Sequence, residues 1–174
     1  MYPPFIQVLE LCRELAEDES LEIRNSVLEW VPKIIQMSKP VQEKTIRALL
    51  TQCLEKGPDF IRAHVVICIL ALADVDKQSA TSLLKTAAAV ADWRVKYAIC
   101  SNIEKIGESF GRAIFPAFLT KNYSDFLLDQ NPETKISALD FMPTVLKYID
   151  ADSASLHLLP CLTHVANDPE VTVT

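Results

Sequence analysis

One short sequence phrase recurs along the chain at nearly constant spacing. An acidic or amide residue at a turn is followed by an apolar or β-branched position, then in most copies by a base, and an apolar helical pattern continues from there. The clearest copy spans residues 92–99 and reads DWRVKYAI. The position after the turn, here called the apolar slot, is occupied in successive copies by Ile23, Ile61, Val95, Thr134 and Val171. The steps between these positions are 38, 34, 39 and 37 residues, and a period in this range indicates stacked helical repeats.

Length and composition favour a helical protein that binds other proteins. The chain has 174 residues, of which 49% are hydrophobic, enough for one domain or about four to five helical repeats. Only three glycines are present, which disfavours glycine-rich phosphate loops and folds rich in tight β-turns. The formal net charge is −6, whereas nucleic-acid binding needs a basic surface. An acidic surface instead suits protein partners that carry basic patches.

The cysteines give an expectation about the compartment. Five of them lie at scattered helical positions without paired spacing, namely Cys12, Cys53, Cys68, Cys100 and Cys161. No signal peptide and no hydrophobic run of membrane-spanning length is visible in the sequence. We therefore predict reduced core cysteines in a cytoplasmic protein, with the nucleus as an alternative location.

The repeat period predicts an all-α fold, an α-solenoid of antiparallel helix pairs. Each repeat is a helical hairpin that cannot bury its apolar face alone, so neighbouring hairpins must stack. We expect one array over residues 1–174, with repeats at 1–38, 39–75, 76–111, 112–151 and, incomplete, 152–174. The last repeat should contain only the first residues of its second helix, which favours a fragment of a longer array or a truncated gene product, with a naturally short protein as the alternative.

Helix limits and faces follow from the apolar periodicity. The second helix should cover residues 21–37 and bury Ile23, Val27, Trp30, Val31 and Ile34. The first helix of the second repeat should carry an apolar stripe of Ile46, Leu49, Leu50 and Cys53. Two prolines stand nine residues after their apolar slots and predict matching kinks, Pro32 and Pro143. In the third repeat the second helix should run from 93 to about 110, with Gly111 as a left-handed cap. In the fourth repeat the first helix should cover 112–128 and be broken near Asn122.

Catalytic and metal-binding chemistry finds little support. His157, Cys161 and His164 are spaced four and three residues apart, so a helix would place them on one face, as a metal site requires. Pro160 intervenes and leucines surround them, so a core helix is the better interpretation. No serine-hydrolase, zinc-protease, phosphate-loop or paired-cysteine motif is present. We predict that the protein is not an enzyme and holds no cofactor and no metal.

The turns between helices are the candidate binding surface. They carry acidic residues that would cap helices and complement the helix dipole, among them residues 17–19, Asp59, Asp92 and Glu133. Because these turns recur, they would also form a ridge of polar loops along one edge of the array. Trp93 has two open interpretations, packing against the preceding helix or partial exposure on the ridge. Trp and Arg are frequent anchors of protein interfaces, which favours a binding role for the second case.

The phrase at residues 92–99 resembles the opening of the second helix in HEAT repeats of the scaffold (A) subunit of protein phosphatase type 2A. Further stretches similar to that family are the turn at 167–171, the second-helix middles at 28–32 and 139–143, and the proline-bearing first helices at 114–118 and 158–162. The sequence departs from the family pattern at Thr134, which replaces an apolar residue, and at Thr172, which replaces a base. The second repeat lacks the first-helix proline, and scaffolds of that family are far longer.

The resemblance implies a non-catalytic scaffold or regulatory subunit of a type-2A-like serine/threonine phosphatase. Such a subunit binds the phosphatase catalytic subunit and regulatory B-type subunits through its intra-repeat loops, with no nucleic acid, membrane or small-molecule substrate as partner. By position, the ridge would include Glu19, Asp59, Phe60, Asp92, Trp93, Arg94, Asn131, Glu133 and Asp168. The alternative is another HEAT-repeat adaptor, such as an importin-β-like nuclear transport receptor.

Overall fold

The computed structural model describes residues 4–37, 43–57, 59–111 and 114–167. These residues form helices and short connections, and no strand occurs among them. The predicted all-α class is therefore confirmed. The chain divides into two compact units, Met1–Val90 and Ala91–Thr174.

The first unit contains two helical hairpins followed by one more helix. Its helices are α1 (Pro4–Leu15), α2 (Leu21–Met37), α3 (Glu43–Lys56), α4 (Asp59–Ala73) and α5 (Lys77–Ala88). Helix α1 packs on α2 and α3, α2 packs on α4, and α3 packs on α4 and α5. First helices of successive hairpins thus contact each other, and so do the second helices. The predicted apolar stripe of α3 is confirmed, since its four members are buried, Ile46, Leu49, Leu50 and Cys53.

The second unit repeats this arrangement with shorter helical pieces. Its helices are α6 (Trp93–Ser101), α7 (Ile103–Phe110), α8 (Phe115–Leu127), α9 (Pro132–Asp140), α10 (Met142–Val145), α11 (Ala151–Ser153) and α12 (Leu159–Val165). A π-helical turn, Ala154–Leu158, joins α11 to α12. Helix α6 packs on α9, α8 packs on α9, and α7 contacts α8 and α10. The core contains four large aromatic side chains that are fully buried, Phe110, Phe115, Tyr123 and Phe126.

The limits of α2 agree with the prediction, and its buried face agrees only in part. Val27, Val31 and Ile35 are buried, whereas Ile23 is 39% exposed and Trp30 is 54% exposed. At 3.6 residues per turn, Ile23 and Trp30 lie within about 20° of each other and about 90° from the centre of the buried face. That face is set by the contacts of α2 with α1 and α4. The prediction is therefore right for Val27 and Val31 and wrong for Ile23 and Trp30, which lie at one edge of the predicted stripe.

The two prolines with equal sequence offsets do not share a geometry. Pro32 lies inside the continuous helix α2, whereas Pro143 stands in the first turn of α10, after a break at Phe141. In a first turn the missing N–H of proline is not needed, while inside a helix it removes a hydrogen bond. The prediction of matching kinks is therefore wrong.

The second helix of the third repeat is divided at Asn102. Helix α6 ends at Ser101 and α7 begins at Ile103, so the predicted continuous helix is wrong at this point. The Asn102 side-chain amide donates to the Ala98 carbonyl at 2.9 Å, and such local bonds compete with helix hydrogen bonds. Gly111 has a positive φ of 70°, and its N–H donates to the Gly107 carbonyl at 2.9 Å. Gly111 is thus the predicted cap with a positive φ, but its ψ of 176° lies outside the left-handed helical region that was predicted.

The first helix of the fourth repeat is continuous where a break was predicted. Helix α8 runs through Asn122, whose side-chain amide donates to the Phe118 carbonyl at 2.8 Å. The amide is thus satisfied within the helix and the backbone ladder continues. Residues 112 and 113, the predicted start of this helix, lie outside the described residues.

The π-helical turn near the end of the chain has a local cause. Pro160 stands in the first turn of α12 and has no N–H to offer the carbonyl four residues earlier. The Leu159 N–H donates to the Ala154 carbonyl, a step of five residues instead of four. The widened turn accommodates the proline without ending the helix.

Candidate protein-binding loops

The residues predicted for the loop ridge fall into three groups. Glu19 is exposed in the turn between α1 and α2, and Asp59 and Phe60 are the first residues of α4, where only the backbone is described. Asp168 lies outside the described residues. The remaining five residues belong to the second unit and stand at the starts of α6 and α9, namely Asp92, Trp93, Arg94, Asn131 and Glu133.

The start of α6 presents an aromatic and cationic pair. Asp92 is the N-cap, and its carboxylate accepts a hydrogen bond from the Arg94 N–H at 2.9 Å. Trp93 is half-buried in the first turn, and Arg94 is exposed. The Arg94 guanidinium carbon lies 4.6 Å from the centroid of the Trp93 ring, a cation–π geometry. Trp93 is therefore partly exposed and its ring contacts Arg94 of the same helix, whereas packing of the ring against the preceding helix stays a prediction.

The structure brings the start of α9 next to the start of α6. The Asn131 side chain caps α9 by accepting the Glu133 N–H at 2.9 Å. Thr134 is fully buried in the apolar slot, and its hydroxyl donates to the Trp93 carbonyl at 3.4 Å. The polar residue that replaces an apolar one at this slot therefore has a hydrogen-bond acceptor, and this hydrogen bond links two of the predicted loop segments.

A second link in this unit is an ion pair. The Lys96 ammonium contacts an Asp129 carboxylate oxygen at 2.5 Å, and the two side chains are only 17% and 10% exposed. The other oxygen of Asp129 accepts the Asn131 N–H at 2.9 Å. Asp129 thereby shapes the turn that leads into α9 while fixing it to α6.

Sequence reasoning did not assign a role to the base that follows the apolar slot. Arg24 donates to the Asp18 carbonyl at 2.8 Å, and Arg62 donates to the Glu55 carbonyl at 3.4 Å. Lys96 occupies the same repeat position and makes the ion pair with Asp129. In these three repeats the base holds the polar atoms of a neighbouring turn. The signal was present in the sequence, because the base recurs at the same offset in four of the five copies.

The turns of the first unit enclose a pocket that the sequence did not predict. This loop pocket has a volume of about 290 Å³, and its charged and polar lining comes from Glu17, Arg24, Gln52 and Lys56. The Gln52 amide donates to the Glu17 carboxylate at 2.5 Å, which joins the α1–α2 turn to the end of α3. Gly57 closes the pocket, and a Cβ there would lie 2.4 Å from the Cys53 carbonyl oxygen. The local backbone therefore admits only glycine at that position.

The buried ionisable groups do not have the properties of reactive ones. All five cysteines are buried and unpaired, which confirms their prediction as core residues. Burial raises the pKa of the Cys53 thiol to about 11, and the charge of Glu17 adds to the shift. Burial, with the Asp129 charge, raises the pKa of Cys100 to about 12. Burial also raises the pKa of Tyr123, whose hydroxyl donates to the Ala138 carbonyl at 2.6 Å.

The described residues form no cluster suited to a metal ion and no helix that could span a membrane. Within residues 4–37, 43–57, 59–111 and 114–167, no group of three or more His, Cys, Asp or Glu side chains is arranged to hold a metal ion. The Cys161 thiol instead donates to the His157 carbonyl at 3.3 Å. None of the helices described is both long and apolar enough to cross a lipid bilayer.

Comparison with known proteins adds no assignment. No protein-family model matches the sequence, and no curated protein matches it either.

Proposed function

We propose that this chain is a HEAT-repeat scaffold, an α-solenoid segment that forms one array and has no catalytic activity of its own. The packing within each unit carries the proposal. In the first unit, first helices pack on first helices (α1 on α3, α3 on α5) and second helices pack on each other (α2 on α4). In the second unit, the second helices α6 and α9 pack together in the same way. This is the nearest-neighbour packing that repeat arrays use.

The apolar slots support the same proposal. Ile61, Val95 and Thr134 are fully buried at equivalent positions, one in each of three successive repeats. The base after the slot contacts a turn in each of the repeats around Arg24, Arg62 and Lys96. Ile23 is the exception among the described slots, because it is 39% exposed in the first turn of α2. A repeated set of equivalent contacts favours a repeat array over an irregular helical bundle.

The proposed partners are the catalytic subunit and the regulatory B-type subunits of a type-2A-like serine/threonine phosphatase, in the cytoplasm or nucleus. Sequence resemblance supplies these partners, and the loops of the second unit supply a suitable surface. Trp93 and Arg94 offer an aromatic ring and an exposed guanidinium held at the start of α6, the residue types that most often anchor interfaces. The scaffold would act by holding its partners in register.

Binding of a purified type-2A catalytic subunit to the full chain tests this function. Arg94→Glu reverses the exposed charge of the pair, and Lys105→Glu on α7 makes the same charge change at another exposed site. We expect Arg94→Glu to weaken binding by about tenfold or more, and Lys105→Glu to change it by less than about twofold. Equal binding by wild type and both variants would remove the α6 loop from the interface. Absence of binding by wild type would contradict the phosphatase function itself.

A further inference from the structure

A basic surface lies along α3 in a chain whose net charge is −6. Beside the loop pocket runs a shallow depression of about 480 Å³, here called the α3 groove, which shares Gln52 and Lys56 with the pocket. Together the two depressions are lined by four cationic side chains, Arg24, Lys44, Arg47 and Lys56, and by two carboxylates, Glu17 and Glu55. The local balance of charge is therefore opposite in sign to that of the whole chain.

Hydrogen bonds hold two side chains of this surface in place. Arg24 is half-buried and donates to the Asp18 carbonyl at 2.8 Å, so its guanidinium is held at the pocket wall. Glu17 is engaged by the Gln52 amide at 2.5 Å. Lys44, Arg47 and Lys56 are exposed, so their ammonium and guanidinium groups are accessible to a partner. The surface therefore offers one guanidinium whose position is fixed and three exposed cationic groups, which together can bind a row of carboxylates.

We propose that the loop pocket and the α3 groove together dock an acidic segment of a protein partner, with one carboxylate side chain entering the pocket between Arg24 and Lys56. The inference deepens the proposed scaffold function and rests on it, because a scaffold is expected to bind other proteins through its surface. The pocket lies between the α1–α2 turn and the end of α3, so it belongs to the turn surface through which partners are expected to bind.

Size and electrostatics favour carboxylates over phosphate or nucleic acid. A volume of about 290 Å³ is at the lower limit of small-molecule sites and suits a side chain. The pocket adjoins the carboxyl-terminal end of α3, at Lys56 and Gly57, where the helix offers no row of free N–H groups to a phosphate. Phosphate sites usually use the opposite helix end. A nucleic acid would also need a longer basic surface than these four cations provide, in a chain with a net charge of −6.

The test is titration of the full chain with a short fluorescent peptide of alternating Glu and Ala, followed by anisotropy. The matched probe is the same peptide with Gln in place of Glu. Arg47→Glu combined with Lys56→Glu reverses two exposed charges of the surface, and Lys33→Glu combined with Lys85→Glu makes the same net change at exposed sites of the same unit. We expect the first pair to weaken binding by about tenfold or more and the second by less than about threefold. Binding of the acidic peptide should also fall as salt increases.

Three outcomes would overturn the proposal. They are failure of wild type to prefer the Glu peptide over the Gln peptide, equal binding by both double variants, and tighter binding of a phosphoserine version or of an oligonucleotide. Backbone amide shifts of Gln52 and Gly57 in wild type provide a second measurement that needs no variant, and they should move with the acidic peptide. This test fails separately from that of the proposed function. If the chain captures a phosphatase but does not bind the acidic peptide in a charge-dependent way, only the docking site is contradicted. If it binds the acidic peptide but captures no phosphatase, only the phosphatase assignment is contradicted.

Discussion

The Lys96 ammonium lies 2.5 Å from a carboxylate oxygen of Asp129, and this ion pair fastens α6 to the turn that leads into α9. Both side chains are largely removed from solvent, so removing one partner leaves the other with an uncompensated charge. Removing one partner should therefore cost more than breaking a surface ion pair does. It also sets the position of Asn131, whose N–H bonds to the same carboxylate.

The first prediction is that Asp129→Asn lowers the free energy of unfolding by about 1–3 kcal/mol. Asn keeps an oxygen acceptor for the Asn131 N–H but not the charge that Lys96 requires. Chemical denaturation measures the change. Asp125→Asn, on an exposed position of α8, is the control and should stay within about 0.5 kcal/mol of wild type. Equal losses in the two variants would mean that the ion pair is not stabilising.

The second prediction concerns the close approach of α7 to Tyr148. A Cβ on Gly107 would lie 2.5 Å from Tyr148 Cζ, and the Tyr148 ring is held edge-on against Phe115 at a centroid distance of 4.8 Å. We expect Gly107→Ala to destabilise the protein by about 1 kcal/mol, because overpacking outweighs the better helix propensity of Ala.

A double-mutant cycle isolates that contact. In a Tyr148→Ala background the steric conflict is gone, so Gly107→Ala should stabilise the helix by about 0.5–1 kcal/mol. A change of sign between the two backgrounds is the expected result. The same effect in both would show that the ring does not restrict this glycine.

The third prediction follows from the buried thiols. Their folded-state pKa values are raised from 9.0, to about 11 for Cys53 and about 12 for Cys100, so the unfolded chain loses these protons first. The stability they contribute is fully present below pH 9 and is lost as the pH rises through the folded-state pKa values, from about 9 to about 12. Tyr123 adds a loss of the same sign above pH 10.

Melting temperatures between neutral pH and pH 10.5 check this dependence. Wild type should lose stability steadily above pH 9, and Cys53→Ala combined with Cys100→Ala should reduce that slope although it lowers stability at neutral pH. Thiol reagents give an independent reading. At pH 8 the folded chain should react slowly at all five cysteines, and the denatured chain rapidly. A rapidly modified thiol in the folded chain contradicts the placement of that residue in the core.

The fourth prediction concerns the cap of α5. The Asp76 carboxylate accepts the N–H groups of Gln78 and Ser79 at 3.1 and 3.2 Å. Asp76→Ala should cost about 0.5–2 kcal/mol, whereas Asp74→Ala removes the same charge at an exposed position and should change stability by less than about 0.5 kcal/mol. Thermal melts of the two variants side by side measure the difference. If Asp74→Ala costs as much, the effect comes from net charge and not from the cap.

Sequence periodicity predicted the helices well and their faces less well. It placed α2 at residues 21–37 and the stripe of α3 correctly, because helix periodicity is local. It assigned Ile23 and Trp30 to the core, because the orientation of α2 depends on α1 and α4, which lie elsewhere in the sequence. Identical offsets of Pro32 and Pro143 also did not produce identical backbones.

The candidate sites show the same limit. Trp93 and Asn131 were found from local turn patterns, and the structure places the segments that contain them side by side through the hydrogen bond from Thr134 to the Trp93 carbonyl. The loop pocket was not predicted, because Arg24 and Lys56 are far apart along the chain and meet only after the two hairpins pack. Sites made by one turn can be read from a sequence, whereas sites made between turns need the packing.

The most direct test of the scaffold function is capture from native extract. The full chain, carrying an affinity tag, would be incubated with extract, and bound proteins would be identified by mass spectrometry beside the Trp93→Ala, Arg94→Glu double variant. We expect wild type to recover a type-2A phosphatase catalytic subunit and the double variant to lose it, although the circular dichroism spectrum of the variant matches that of wild type. Recovery of the small GTPase Ran with no phosphatase would contradict the account and favour a nuclear transport receptor.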